Sequence, residues 1–230
     1  MVQVNLPYHN LRIKFRKVGD LQYVSHLDLV RTMQKALKRA GLNMWYTEGF
    51  NPKPKMVFGP PLSIGVESEC EFLDIRLLDT PNCEAIKAAI NGSLSESLAA
   101  LEVYEPEHSL TEIEWLSYLI TISTPEAPET VCGKLRSFFE KSEINVLKKT
   151  KKGEQTVNIR PLIKSADIAV QGGCANISCL LSSSSERFLN PEHLVRAIKD
   201  ETDIFTGDLL NEQYTVLRQR AYLADMTEFN

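Results

Sequence analysis

The sequence contains no apolar run near the roughly 20 residues that a membrane-spanning helix requires. Its first residues, MVQVNLPYHNLRIKFRK, hold no signal-peptide core, so a cytoplasmic protein is expected. It also lacks CxxC and CxxxCxxC, because its five cysteines stand at positions 70, 83, 132, 174 and 179. That spacing offers neither a zinc nor an iron–sulfur site, and an odd count without an export signal points to free thiols. Cys174 and Cys179 fall in a strand-like stretch and read as buried structural thiols. His9, His26, His108 and His193 are scattered and form no metal-ligand spacing. P-loop, GxGxxG, GxSxG and HExxH are all absent, which leaves nucleotide hydrolysis and the common hydrolase chemistries without a motif. No cofactor and no metal are expected in this chain.

What is present is the composition of an ordinary globular protein, 43% hydrophobic and 24% charged over 230 residues. That length accommodates two cores of about 115 residues each. The net charge of -4 conceals a segregation. Residues 1–60 carry ten Lys/Arg against three acids, whereas residues 61–118 carry two against twelve. Such an asymmetry favours a local anionic contact, or else an internal docking of the basic segment on the acidic one.

Hydrophobic periodicity places the elements. Leu11, Ile13 and Phe15 alternate with Arg12, Lys14 and Arg16, giving a strand with one apolar and one triply basic face. A helix is expected between Ser25 and Gly41, then strands at Met44–Thr47, Lys55–Phe58 and Glu71–Leu78. A helix over Cys83–Leu94 and a strand over Leu101–Tyr104 follow. The second half repeats this order of elements, with a lysine-rich hairpin tip, KKTKKGE, between two of its strands. The fold class expected is therefore α+β: two tandem ferredoxin-like (βαββαβ) domains with antiparallel sheets, residues 1–110 and 111–230, joined through the acidic stretch Glu102–Glu114.

Three groups of residues could contact an anion. On the first helix, Leu29, Val30, Met33, Ala36, Leu37 and Ala40 share one arc, while Arg31, Lys35, Lys38 and Arg39 occupy the opposite one. The four cations repel one another with only Asp28 beside them, so an anionic partner would relieve them. In YTEGFNPKPK, Gly49, Asn51, Pro52 and Pro54 stiffen a turn that displays Tyr46, Phe50, Lys53 and Lys55. Arg12, Lys14 and Arg16 would line an open sheet face, as strands do in RNA-recognition modules. Each group has a plainer reading as well: a solvated helix face, aromatic core plugs at Trp45 and Phe50, and strand cations neutralised by Asp74. His26 is the one histidine in this basic neighbourhood and the candidate general base of a metal-independent endoribonuclease. Its place in the apolar arc favours a packed or capping role.

The stretch from Leu11 to Leu77 resembles the radical-SAM-linked bacterial proteins of the DUF2344 family. The resemblance rests on Ser25-His26-Leu27-Asp28, Arg31, Gly49-Phe50-Asn51-Pro52, Pro54, Pro61-Leu62, Gly65, Glu67-Ser68 and Asp74. It implies a chain that works beside a radical-SAM protein, in a setting of ribonuclease and ribosomal-protein genes. Without CxxxCxxC, this chain would be the partner half. The family's turn usually reads NPHP, and Lys53 stands at the third position here, so histidine chemistry does not carry over whereas a phosphate contact does. The leading expectation is a non-catalytic RNA-binding accessory module, for tRNA or rRNA, using Arg12, Lys14, Arg16, Arg31, Lys35, Lys38, Tyr46, Phe50, Asn51, Lys53 and Lys55. The alternatives are the endoribonuclease, whose tandem plan resembles CRISPR RNA endonucleases, and a protein-binding adaptor without RNA.

Overall fold

The alternation in LRIKFRK builds β1 (His9–Lys17), whose Leu11, Ile13 and Phe15 are wholly buried. The computed structural model describes residues 7–150, 153–184 and 186–230. After a 3-10 turn at Gly19–Tyr23, Ser25 caps α1 (His26–Arg39), its hydroxyl oxygen accepting from the Asp28 N–H at 3.2 Å. Ala40 is the C-cap, and Gly41 follows at φ 73°, a left-handed turn that a side chain would strain. The Ser25 hydroxyl and the Arg31 guanidinium hold the Asp28 carboxyl below its usual range. Its contribution is therefore present above pH 3.8 and is lost as the pH falls through the lower folded value. Ser25→Ala should cost about 1 kcal/mol in a urea titration. A loss under about 0.3 kcal/mol would show that this cap does not hold the helix.

The chain continues through β2 (Met56–Phe58), β3 (Val66–Leu77), α2 (Cys83–Asn91) and β4 (Leu98–Tyr104). β3 is antiparallel to β1, with Leu11 opposite Ile75, and β1 is antiparallel to β4, with Ile13 opposite Val103. Met56 of β2 pairs Ile75 as well, so β2 occupies the other edge of β3 and the order is β4-β1-β3-β2. Leu29, Met33 and Leu37 of α1 join Ile86 and Ile90 of α2 in one core with Leu11, Ile13, Phe15, Leu73 and Ile75. Both helices thus cover the same face of this sheet.

The second half runs β5 (Trp115–Ser123), α3 (Pro128–Phe139), β6 (Asn145–Thr150), β7 (Gly153–Asn158), β8 (Ile163–Gln171), β9 (Cys174–Ser182), α4 (Pro191–Glu201) and β10 (Gln213–Tyr222). Its antiparallel pairings give the order β10-β5-β9-β8. β6 and β7 form a separate hairpin with Val146 opposite Val157, inserted between α3 and β8. Lys151 and Lys152, at the expected lysine-rich tip, lie outside the described residues. Asn190 caps α4 by accepting from the Glu192 N–H. Burial raises the thiol pKa of Cys132 and pushes that of Cys179 up to about 12. The chain divides into two compact units, one ending at Leu110 and one spanning Thr111–Phe229. It is a mixed α+β protein with antiparallel sheets and, among the described residues, four α-helices.

One expected strand is absent. Met44–Thr47 makes only two isolated bridges, Met44 with Leu77 and Tyr46 with Pro54. The segment divides its pairing, the Trp45 N–H donating to Arg76 of β3 and the Thr47 N–H to Lys53 across its own loop, so neither ladder extends. Elsewhere the strands outrun their apolar patterns: β3 begins at Val66 and β4 at Leu98, not at Glu71 and Leu101.

Candidate nucleic-acid interface

The basic side of β1 is not an open anion-binding face. Arg12 has no exposed surface; its Nε and Nη2 donate to the two Asp74 carboxylate oxygens at 2.7 and 2.9 Å, and Nη2 also donates to the His108 carbonyl at 2.8 Å. The reason is register, since Arg12 lies directly opposite Asp74 across the β1–β3 ladder. On the other side of β1, Lys14 lies opposite Glu102 and its ammonium is 3.6 Å from that carboxylate. Arg16 Nε donates to the Glu96 carbonyl at 2.6 Å. Arg12 is therefore removed from the set of phosphate contacts, Lys14 is paired with Glu102, and half-buried Arg16 gives one N–H to a carbonyl while keeping its charge.

The cations of α1 and of the loop behave differently. Leu29, Met33, Ala36 and Leu37 are buried, which turns Arg31, Lys35, Lys38 and Arg39 outward, all exposed. Arg31 spends its charge on Asp28, one turn away at 3.2 Å, in a pair whose side chains are both 60% exposed. Lys35, Lys38 and Arg39 have no ion-pair partner among the described residues. Lys38 and Arg39 occupy the last turn, where they also meet the negative end of the helix dipole.

The loop that follows is fastened at its base. The Trp45 N–H donates to the Arg76 carbonyl at 2.8 Å, the Lys55 N–H to the Trp45 carbonyl at 3.0 Å, and the Thr47 N–H to the Lys53 carbonyl at 2.8 Å. The Thr47 hydroxyl accepts from the Lys53 N–H at 3.1 Å. Gly49 has φ 129°, a conformation open in practice to glycine alone. Trp45 is half-buried and lies outside the core of the first unit. It packs on Tyr8 at 5.9 Å between ring centres, and the Arg76 guanidinium lies over both rings, 4.2 Å from Tyr8 and 5.4 Å from Trp45. Phe50 does the opposite: with a relative exposure of 111% it is as free of the protein as a side chain can be, and Tyr46 is 49% exposed. Asn51 and Lys53 are exposed and Lys55 half-buried; neither lysine has an ion-pair partner among the described residues.

His26 is exposed at the start of α1, yet its ring packs edge-on against Phe58 at 5.3 Å. It lines a cavity of about 10 Å³ together with Lys17, Glu71 and the Pro60-Pro61 turn. That is room for about one water molecule and not for a nucleotide. Lys17 is 3% exposed, with its ammonium donating to the Gln22 carbonyl at 3.2 Å, and Glu71 is 6% exposed. Sequence reading overlooked both, although the signal was there. Lys17 continues the 11-13-15 alternation and Glu71 precedes Leu73 by two, which places a charge of each sign in the apolar phase of its strand.

In the second unit, His193 lies near Lys148 and Arg196. Burial, and then these two charges, hold its pKa below the usual histidine range. Among the described residues no three His, Cys, Asp or Glu side chains come together as a metal site, and no helix is long and apolar enough to cross a membrane.

No curated protein matches the sequence. Among solved structures, a chain of "Crystal Structure of a Cbf5-Nop10-Gar1 Complex" aligns over 92% of this chain at 10% identity and a TM-score of 0.49. This chain spans only 48% of that one. A second structure, of an unknown protein from Galdieria sulphuraria, aligns over 92% of this chain and 99% of its own at 10% identity and a TM-score of 0.27. The family model described as "Uncharacterized protein conserved in bacteria" matches residues 10–191, and on that match the chain belongs to the DUF2344 family.

Proposed function

We propose that this protein is an RNA-binding accessory module that presents RNA, of the tRNA or rRNA class, to a radical-SAM partner, and that its two units are tandem ferredoxin-like domains. The strand orders β4-β1-β3-β2 and β10-β5-β9-β8 support the architecture. The observation that carries the RNA reading is the contrast within the N-terminal cations. Arg12 and Lys14 on β1 are paired with the protein's own acids, while Lys35, Lys38, Arg39 and Lys53 are exposed and half-buried Lys55 shares the loop with exposed Tyr46 and Phe50. Unrelieved cations beside free ring faces suit a phosphate chain and its bases.

Filter binding of labelled bulk tRNA against KCl concentration tests it. Five neutralised phosphates give a log–log slope of about −3.5 to −4.5, so affinity should fall about 100- to 500-fold between 50 and 200 mM salt. A flat profile would remove the RNA reading and leave a protein-binding adaptor. The same RNA, incubated with the protein in EDTA, should be recovered intact; fragments lost on His26→Ala would instead establish the endoribonuclease.

A further inference from the structure

Resting on that RNA reading, the geometry of the Thr47–Lys53 loop points to a narrower ligand: we infer that the site takes unpaired nucleotides, with one base stacked on Phe50, and rejects continuous duplex. Phe50 is the informative residue. Its ring makes no internal packing contact that could account for an apolar side chain at a solvent-exposed tip, and its exposure of 111% leaves both faces open. The loop beneath it is held by the paired Thr47 and Lys53 backbones, by the Lys53 N–H on the Thr47 hydroxyl and by two prolines. A ring on so constrained a stem loses little further freedom when a base settles on it.

The neighbouring rings are less open. Trp45 is half-buried, with Tyr8 tilted against it at 5.9 Å and the Arg76 guanidinium 5.4 Å from its ring centre. Arg76 in turn covers a face of Tyr8 at 4.2 Å. Tyr46 is half-exposed at the loop stem and offers a secondary surface.

Duplex RNA has no use for such a tip. Its base faces are already stacked on one another, its major groove is too narrow and deep for side chains, and its minor groove presents sugar hydroxyls and base edges. Unpaired nucleotides present open base faces, and their backbone can meet Lys53 and Lys55, which follow the ring on the same loop. Stacking of this kind tolerates any base, because every base has a π face.

Fluorescence anisotropy separates the possibilities, using a fluorescein-labelled 12-nucleotide single-stranded RNA and the blunt duplex of the same sequence, at one salt concentration. The single strand should bind at least about tenfold more tightly than the duplex. Phe50→Ala should weaken the single strand about tenfold and leave the duplex unchanged, while Phe50→Trp keeps the preference. Because Phe50 packs on nothing, the Ala variant should melt at the wild-type temperature, so loss of binding is not loss of fold. Equal affinity for both RNAs, or a Phe50→Ala protein that binds the single strand as well as wild type, overturns the inference while leaving RNA binding itself intact. The second of those results is the one expected if Phe50 docks on a protein. Binding to neither RNA overturns both this inference and the reading on which it rests.

Discussion

Changing Lys35, Lys38, Lys53 and Lys55 together to glutamate lowers RNA affinity several hundredfold at about 0.1 M salt, whereas Lys14→Gln changes it by less than about twofold. The first figure follows from counterion release. With a slope of about −0.7 per contact, each phosphate neutralised contributes a factor of about five at 0.1 M relative to 1 M salt, and four contacts multiply to about 600. Reversal adds repulsion to that loss. None of the four side chains has an ion-pair partner among the described residues, so the fold loses no ion pair when they change. Lys14 is the contrasting case, since its ammonium already has Glu102 at 3.6 Å and only 14% of its side chain is exposed. The two variants, measured by the same anisotropy titration, read out which of the basic clusters meets the ligand. If Lys14→Gln weakened binding as much as the fourfold reversal, the division between the strand cluster and the helix–loop cluster would be wrong.

That division marks where sequence reading stopped. The α1 face was legible because a helix repeats every 3.6 residues, and the period alone assigns Leu29, Met33 and Leu37 inward and the cations outward. The strand face was legible only halfway. Alternation put Arg12, Lys14 and Arg16 on one side, but what lies across from each depends on a register that local sequence does not set. Two register pairs, Arg12 with Asp74 and Lys14 with Glu102, reverse the reading of that face. Both acids belong to the strongly acidic stretch 61–118. Cations of the basic segment do therefore meet acids of the acidic one at β1, and those without an ion-pair partner among the described residues include Lys35, Lys38 and Arg39 of α1 and Lys53 and Lys55 of the loop. The start of β3 escaped for a different reason: in Val66–Cys70 the apolar phase is held by Val, Ser and Cys between two glutamates, a pattern with little hydrophobic contrast. Trp45 and Phe50, equal candidates for core plugs in the sequence, parted because only Trp45 lies beside β3, where its N–H reaches the Arg76 carbonyl.

The Arg12–Asp74 pair makes the second large prediction, on stability. Asp74→Ala should destabilise the protein by about 3 kcal/mol, the low end of the range for breaking a buried pair, since the Asp74 side chain keeps 27% of its surface in water. The cost lies less in lost attraction than in what remains: a guanidinium with no exposed surface, its bidentate partner gone, and the His108 carbonyl as one of its remaining acceptors. Arg12→Met should be milder, because it strands only a half-exposed carboxylate and retains the apolar stem. The double variant Arg12→Met/Asp74→Ala should recover most of the loss, as replacing both members of a buried pair by apolar groups is often neutral. Urea titrations of the four proteins close this cycle, with a coupling of about 1–3 kcal/mol expected between residues in direct contact. Additive effects, or an Asp74→Ala protein within about 0.5 kcal/mol of wild type, would mean that the pair is incidental and that Arg12 is held by its packing and its other acceptors. Neither substitution touches α1 or the loop, so RNA affinity measured below the unfolding transition should stay at the wild-type value. A variant that lost stability and RNA affinity together in fully folded protein would return Arg12 to the binding surface.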